Sequence, residues 1–438
     1  MNLFEWRQAS FIEHKDSIHA FRNYLAGVWQ NRARYLEGDD APSEEEIQEE
    51  KIQQQRFFDF TFDGKISARN YVGVVQFEGI RIEVYPKIFK GEEIENKTQW
   101  QLNLLFWLSY CRKIRFPFSF ADVSKMQFDD FLELLIYIFA NYTSEILANQ
   151  PFQAYQTVEE ELPFLKGSLS FDIYTKHNLS TGNWQHFYCT HQPFEYDNQF
   201  NRIVKYVTRR LLGLSGNYPN QERLSEILFL LDEVSDFPCT ASDCDQVKLN
   251  PLYEDHKHIL ALCRLFLSNQ VMDMESDDSK NFCFLVPMEY VFEEFLFGFI
   301  SNHWPQLNIR SQSTDYLSTN KSRAVFQIRN DMYIKEKLII DTKYKIRHPG
   351  NDGKEGVSQN DLYQMVSYAI RRNCKEVLLI YPLCNKDSSP AQFDIPSKMY
   401  SVPIKIHIHD LDITFQDIRS AIETIKERIT HINYLFNE

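Results

Sequence analysis

The chain has 438 residues, of which 43% are apolar and 15% aromatic, and a formal net charge of −14. That length fits two or three domains, and the apolar content excludes an extended, disordered chain. The acidic balance argues against a protein that grips a polyanion unaided, because phosphate contacts need local Lys and Arg. Such patches exist at Lys343 to Arg347 and at Arg371 and Arg372. Either that local cleft suffices or a partner supplies most of the grip, and the net charge favours the partner.

The eight cysteines form no CxxC pair, and Cys239 and Cys244, followed by His256 and His258, lack the paired spacing of a zinc site. Reduced thiols of a cytoplasmic protein are expected. The start, MNLFEWRQASF, has no basic region followed by an apolar run, and stretches such as Leu134 to Ala140 are too short to span a bilayer. A soluble chain without membrane contact is expected.

In chain order, residues 1–36 carry mixed signals. Ser43 and Glu46 have capping-box spacing, so Glu44 to Arg56 reads as an exposed, charged helix. From Phe57 to Phe89 the pattern becomes strand-like, with turns at Asp63-Gly64 and Glu78-Gly79 and alternation through Ile80, Ile82 and Val84. Residues 99–149 read as helical, with a stripe of Phe128, Leu132, Leu135, Ile136 and Phe139. An extended segment is expected from Leu165 to Cys189, then helices at 198–213, 220–234 and 251–270.

The polar run Asp273 to Lys280 is the best boundary. After it come a helix (287–302), strands (307–313, 324–333, 337–345), a helix (358–372), strands (375–382, 403–409) and a helix (415–430). The expected fold is α+β and multidomain. It comprises a β-rich and helical partner-binding region (1–160), a mainly helical middle region (161–275) and a C-terminal α/β domain with a mixed sheet (276–438).

In that last domain, Asp341-Thr342-Lys343 follows the apolar Leu338-Ile339-Ile340, and Asp331 lies ten residues upstream. Strand alternation points Asp341 and Lys343 to one face and Thr342 to the other, and a neighbouring strand brings Asp331 alongside. Two carboxylates beside an ammonium make a poor core but a sensible Mg²⁺ site. The matching chemistry is phosphodiester hydrolysis, with Lys343 orienting a water or stabilising developing charge. The carbonyl of Thr342 is a further candidate ligand.

On the preceding helix, Phe292, Phe295, Leu296, Phe299 and Ile300 form the buried face. Glu289 and Glu293 flank it, either one able to reach the sheet edge as a metal ligand, and Glu294 falls nearly opposite, where solvation is expected. Gln364 and Tyr368, four apart, share a helix face. Gly350-Asn351-Asp352-Gly353-Lys354 lacks the GxxxxGK[ST] spacing, so no bound nucleotide is expected and a mobile loop is the preferred reading. His407, His409 and Asp410 read as polar residues at a strand end rather than a metal site.

Several segments carry a family resemblance: RIEVYPKI (81–88), LKGSL (165–169), CTHQPFEYDNQFNRIVKY (189–206), PMEYVFEEF (287–295), LIIDTKYK (338–345) and DLYQMVSYA (361–369). In order and spacing the chain resembles the McrC family, nuclease subunits of McrBC-type restriction systems that act on 5-methylcytosine-modified DNA. The resemblance implies a PD-(D/E)xK restriction-endonuclease-like domain, with Asp331 and Asp341 as metal-binding acids and Lys343 as the catalytic lysine. It selects Glu293 as the helix carboxylate and places Gln364 near the site. Arg329-Asn330-Asp331 stands where Arg-Pro-Asp is usual.

The resemblance further implies a hexameric McrB-type AAA+ GTPase that binds the GTP, recognises modified double-stranded DNA and is stimulated by this subunit. The aromatic and basic residues of the 57–90 sheet are where partner contact is looked for. Two other readings stay open: a docking activator with a vestigial site, and a stand-alone nuclease of repair or phage defence.

Overall fold

A computed structural model describes residues 1–10, 18–31, 57–61, 64–90, 96–112, 128, 130–155, 157–268, 281–320, 323–348, 353–385, 389–396 and 403–432. The expected helix at 44–56, the boundary run 273–280, Asp63 and most of the 350–354 loop lie outside them. The fold is mixed α and β with several sheets, as expected. The chain forms two compact units, and the second, Glu133–Gln270 with Ser276–Lys280, interrupts the first.

The first unit opens with β1 (Asn2–Phe4), β2 (Gln8–Ser10) and α1 (Ile18–Asn31). Then come β3 (Phe58–Phe60), β4 (Lys65–Ala68), β5 (Tyr71–Phe77), β6 (Ile80–Tyr85) and α2 (Lys97–Tyr110). The strands make two sheets, ordered β2-β4-β3 and β1-β6-β5-β12, the last strand being Phe282–Pro287. All seven residues of β5 are buried, as befits a strand flanked on both sides. Gly73 of β5 has φ +134, and a Cβ there would lie 2.0 Å from the Phe284 carbonyl oxygen, so only glycine admits β12 at this distance.

Phe57, Phe58, Tyr71 and Phe77 are buried with Phe21 and Leu25 of α1 in one core. These four aromatics of the 57–90 region therefore serve packing. Glu83 of β6 accepts from the Phe131 amide at 2.8 Å, which holds the start of α3 (Phe131–Asn149). That 19-residue helix is long and apolar enough to cross a membrane, longer than the short apolar runs suggest. Its stripe residues Leu132, Leu135, Ile136 and Phe139 are at most 1% exposed, so protein already covers them.

In the second unit, β7 (Ala154–Tyr155) pairs with β11 (Phe194–Glu195), and β8 (Val158–Leu162), β10 (Phe187–His191) and β9 (Ser168–Leu169) form a small sheet. The 165–189 segment is not continuously extended: Phe171–Ile173 and Tyr174–Leu179 are helical. Helices α4 (Gln199–Leu214), α5 (Tyr218–Leu230), α6 (Ala241–Gln246) and α7 (Glu254–Ser268) complete the unit. Asn198 caps α4 by accepting from Asn201 N, and Asn201 donates to the Phe152 carbonyl at 2.9 Å. Buried Glu133 accepts from Ser215 Oγ and Gly216 N, both at 2.7 Å, fixing the α4–α5 turn. Tyr155, Phe164, Phe171, Trp184 and Phe194 are exposed.

The first unit resumes with β12, α8 (Met288–His303), β13 (Arg310–Asn320), β14 (Arg323–Ile334), β15 (Leu338–Thr342) and α9 (Gln359–Arg372). β16 (Glu376–Pro382), β17 (Ala391–Ile395), β18 (Ile404–Leu411) and α10 (Ala421–Thr430) follow. Six strands form one mixed sheet, β13-β14-β15-β16-β18-β17, in which β15, β16 and β18 run parallel. The β15–α9–β16 crossover packs Met365, Tyr368 and Ala369 on Ile339, Val377 and Leu379. Trp107 Nε1 of α2 donates to the Ile413 carbonyl at 3.0 Å, and Asn103 Nδ2 donates to that of Phe415 at 3.1 Å, binding this helix beside the segment after β18.

The basic residues read from the sequence as phosphate contacts are largely committed within the protein. Arg347 is 1% exposed and forms a bidentate pair with Asp410, Nε to Oδ2 at 2.9 Å. Arg371 and Arg372 both pair with Asp315, and Lys345 Nζ lies 3.1 Å from Asp361. The Arg347→Met chain is expected to lose about 3–5 kcal/mol by leaving Asp410 buried and alone. Denaturant titration checks this, and a loss under about 1 kcal/mol would contradict the structural role given to Arg347.

Candidate active site at the end of strand β15

The hairpin β14–β15 turns at Lys335–Lys337, with Glu336 left-handed at φ +58. Its ladder pairs Ile334 with Leu338 and Met332 with Ile340, then stops. One step further the same register sets Asp331 opposite Asp341. There the Asp331 carboxylate captures the next donors: Oδ2 accepts from Thr342 N at 2.7 Å and from Thr342 Oγ1 at 2.8 Å. Thr342 thus fixes the orientation of Asp331.

Ile339 of β15 faces α9 in the core, so by alternation Asp341 and Lys343 point to that side too. Lys343 Nζ stands 2.7 Å from the buried Asp341 Oδ2 as an ion pair. Nζ also donates to Gln364 Oε1 at 3.0 Å, and Gln364 Nε2 donates to Tyr368 Oη at 2.6 Å. Ser358 caps α9 by accepting from Asp361 N at 3.1 Å, which sets the helix phase that delivers Gln364.

Glu293 of α8 is half-buried, and Gln312 Nε2 donates to its Oε1 at 3.4 Å. Gln312 itself is left-handed at φ +47 and interrupts the β13–β14 pairing opposite Asp331. Nothing in the local sequence marks it. Asn330, at the position where the resemblance leads one to expect proline, is fully buried, and its Oδ1 accepts from Arg372 Nε at 3.2 Å. Asparagine here ties the strand bearing Asp331 to α9. Tyr381 of β16, also unforeseen, buries a hydroxyl that finds no hydrogen-bond partner among the described residues.

Glu294 departs from expectation. It is 1% exposed, and its carboxylate takes a bidentate pair from Arg112, with Nε 2.9 Å from Oε2. Opposite the helix's own apolar stripe lies another part of the chain and not solvent. Glu289 is exposed. His407 Nε2 lies 2.6 Å from Glu376 and Asp410 serves Arg347, so each has a structural partner.

The electrostatics are strained by design of position. Burial, then the Asp331 charge, pushes the Asp341 carboxyl up to about 8. Burial and Asp331 likewise raise Glu293 to about 7, and burial raises Asp331. Burial works against the Lys343 ammonium, but Asp341 and Asp331 outweigh it and hold the ammonium above its ordinary value. Among the described residues no three His, Cys, Asp or Glu side chains close round one point as a metal cage. Mg²⁺ does not need one: it keeps several waters and commonly takes one or two carboxylates. A buried Asp341 carboxylate beside Asp331 and Glu293, each raising its pKa by repulsion, is an oxygen donor set that fits such a cation.

A model of the McrBC family, a 5-methylcytosine restriction system component, matches residues 66–382. The chain belongs to the McrBC family. The match takes in Glu293, Asp331, Asp341, Lys343 and Gln364. No protein of curated function matches the sequence significantly.

Among solved structures, the chain is similar to one in the refined half-complex from the tetradecameric assembly of Thermococcus gammatolerans McrB AAA+ hexamers with bound McrC. There the TM-score is 0.68 at 17% identity, over 99% of both chains. A chain of the Thermococcus gammatolerans McrBC complex has TM-score 0.50 at 19% identity, covering 68% of this chain and 86% of that one. At these identities the likeness to the McrBC structures is one of fold.

Proposed function

We propose that the chain is the McrC-type, DNA-cutting subunit of a GTP-dependent, modification-dependent restriction complex, and that its nuclease centre is of the PD-(D/E)xK class. The observation that carries this reading is the group at the end of β15. Asp341 and Lys343 share a face, Asp331 stands opposite, and Glu293 and Gln364 reach in from two helices. Asp331, Asp341, Glu293 and the Thr342 carbonyl would hold Mg²⁺. A cation held there would supply Lewis-acid polarisation of a phosphodiester oxygen and a coordinated water of lowered pKa.

The chain's own residues do the rest. Lys343, aimed by Gln364, presents its ammonium to the charge that develops on the phosphate. Tyr368 fixes the Gln364 amide, so the ammonium is positioned before substrate arrives. Thr342 holds Asp331 in its orientation.

Docking on an McrB-type AAA+ GTPase fits the fold shared with the McrBC structures, the net charge of −14 and the internal commitment of Arg347, Arg371 and Arg372. The exposed aromatics of the second unit offer apolar contact area for such a partner. In this reading the partner binds GTP and selects modified double-stranded DNA.

The test is Mg²⁺-dependent cleavage of modified and unmodified plasmid, with and without an McrB-type GTPase partner and GTP, by wild type and Asp341→Ala. Cutting that requires partner, GTP and Asp341 is the expected result. Undiminished cutting by the variant would mean that the centre is vestigial, and cutting without partner or GTP would mean a stand-alone nuclease.

A further inference from the structure

Strand β15 ends at Thr342, so Lys343 and Tyr344 lie on backbone that has left the ladder. The Lys343 amide still reaches the neighbouring strand, donating to the Ile380 carbonyl at 2.9 Å. What holds this segment comes from the other end of the chain. Tyr344 is 3% exposed, and its hydroxyl donates to Glu5 Oε2 at 2.8 Å. Lys87 Nζ donates to the Tyr344 carbonyl at 2.8 Å and sits 4.0 Å above the centre of its ring. Glu5 Oε2 also accepts from Lys87 N at 2.9 Å, which joins the two grips.

Both residues are themselves rigidly placed. Glu5 follows β1, which pairs in parallel with β6, and Glu5 N donates to the Tyr85 carbonyl at 3.1 Å. Lys87 lies two residues beyond β6. The Phe292 ring, next to Glu293, packs against Tyr344 with centroids 5.7 Å apart.

We propose that Lys87 and Glu5 are positioning residues of the nuclease centre, acting through Tyr344 to hold Lys343 beside Asp341. Carbonyl, ring and hydroxyl of Tyr344 are each gripped, and successive residues of an extended chain project oppositely. Fixing Tyr344 therefore fixes the direction in which Lys343 leaves the backbone. A misplacement of about 1 Å at such a group costs on the order of 10²-fold in rate. The cation–π contact accounts for a cation at position 87, because a neutral donor keeps at most the carbonyl bond and methionine gives up both contacts. This inference rests on the nuclease reading of the site.

The experiment uses the full chain with its GTPase partner and GTP, and compares wild type, Lys87→Met, Lys87→Arg, Tyr344→Phe and Asp341→Ala. Single-turnover cleavage by Lys87→Met is expected to fall on the order of tenfold or more, with the DNA and Mg²⁺ concentrations for half-maximal rate unchanged. Lys87→Arg, which keeps cation and donor, recovers most of the rate. Hydrogen exchange over residues 338–348 of the metal-free chain quickens in Lys87→Met, while 376–382 stays as protected as in wild type.

Wild-type rate and wild-type exchange in Lys87→Met would overturn the proposal. So would equal loss in Lys87→Met and Lys87→Arg accompanied by lowered melting, since that describes packing alone. Should Lys87→Met fail to fold, Tyr344→Phe, which deletes only the bond to Glu5, gives the same readouts in a milder form. If Asp341→Ala cuts normally, it is the nuclease reading that fails and not merely the clamp.

Discussion

The Asp341→Asn chain is expected to melt about 2–5 °C above wild type in metal-free buffer at pH 8, while cutting DNA at least about 10³-fold more slowly. Burial and the Asp331 charge raise the Asp341 carboxyl to about 8 in the folded protein. A carboxyl raised in this way contributes stability that is fully present below its unfolded value of about 3.9. That contribution drains away as pH rises toward about 8, because the unfolded chain releases a proton that the folded chain retains. Asparagine imitates the protonated form at every pH, so it keeps the stability and forfeits the carboxylate proposed to hold Mg²⁺.

A functional centre that weakens the fold around it is a recognised trade-off. Differential scanning calorimetry at pH 5 and pH 8 reads it, and the gain should shrink at pH 5. A variant that melts below wild type at pH 8 would show that the Lys343 pair outweighs the burial and repulsion described above.

The second large effect concerns metal. If Mg²⁺ binds the ionised forms of Glu293 and Asp341, raised to about 7 and about 8, binding must displace protons. Affinity should rise by up to about tenfold per pH unit per displaced proton through that window, and level off above about pH 8. Titration calorimetry with Mg²⁺ or Ca²⁺ in two buffers of different ionisation enthalpy gives the proton count directly. Asp341→Asn lowers the count together with the affinity. A heat that is the same in both buffers at pH 7 would mean that these carboxyls are already ionised without metal, or that the cation sits elsewhere. Chelator should leave the wild-type chain folded, since the surrounding sheet is closed by its own apolar core.

What the sequence made legible follows from the range of each signal. Strand alternation acts over two residues, and it correctly joined Asp341 to Lys343. A hairpin acts over about ten, and it brought Asp331 to Thr342. Helical periodicity acts over four, and Gln364 and Tyr368 are hydrogen-bonded as that spacing allows.

Glu294 escaped because a helical wheel knows only its own helix, whereas Arg112 arrives from 182 residues away. Arg347 looked like a phosphate contact because charge alone does not reveal a buried acceptor such as Asp410. Gln312 carries no signal at all: a left-handed residue in a strand is written in the pairing of β13 with β14, not in a glutamine. Glu5 and Lys87 belong to the same class, since their reach to Tyr344 spans most of the chain.

The pairing of β5 with β12 has a consequence for the order in which the protein can be made. Phe77 ends one strand and Phe282 begins the other, and the whole second unit is synthesised between them. At about 5–20 residues per second, the two hundred or so residues from Phe77 to Phe282 occupy a ribosome for roughly 10–40 s. Throughout that interval β6 covers one side of β5, while the other side is an unpaired apolar edge of the kind that recruits stray strands. The Gly73 backbone, bare where Phe284 will later settle, is the most open point of that edge. Folding of the first unit is thus a waiting reaction, and the nascent chain is most exposed to aggregation while its middle is being translated.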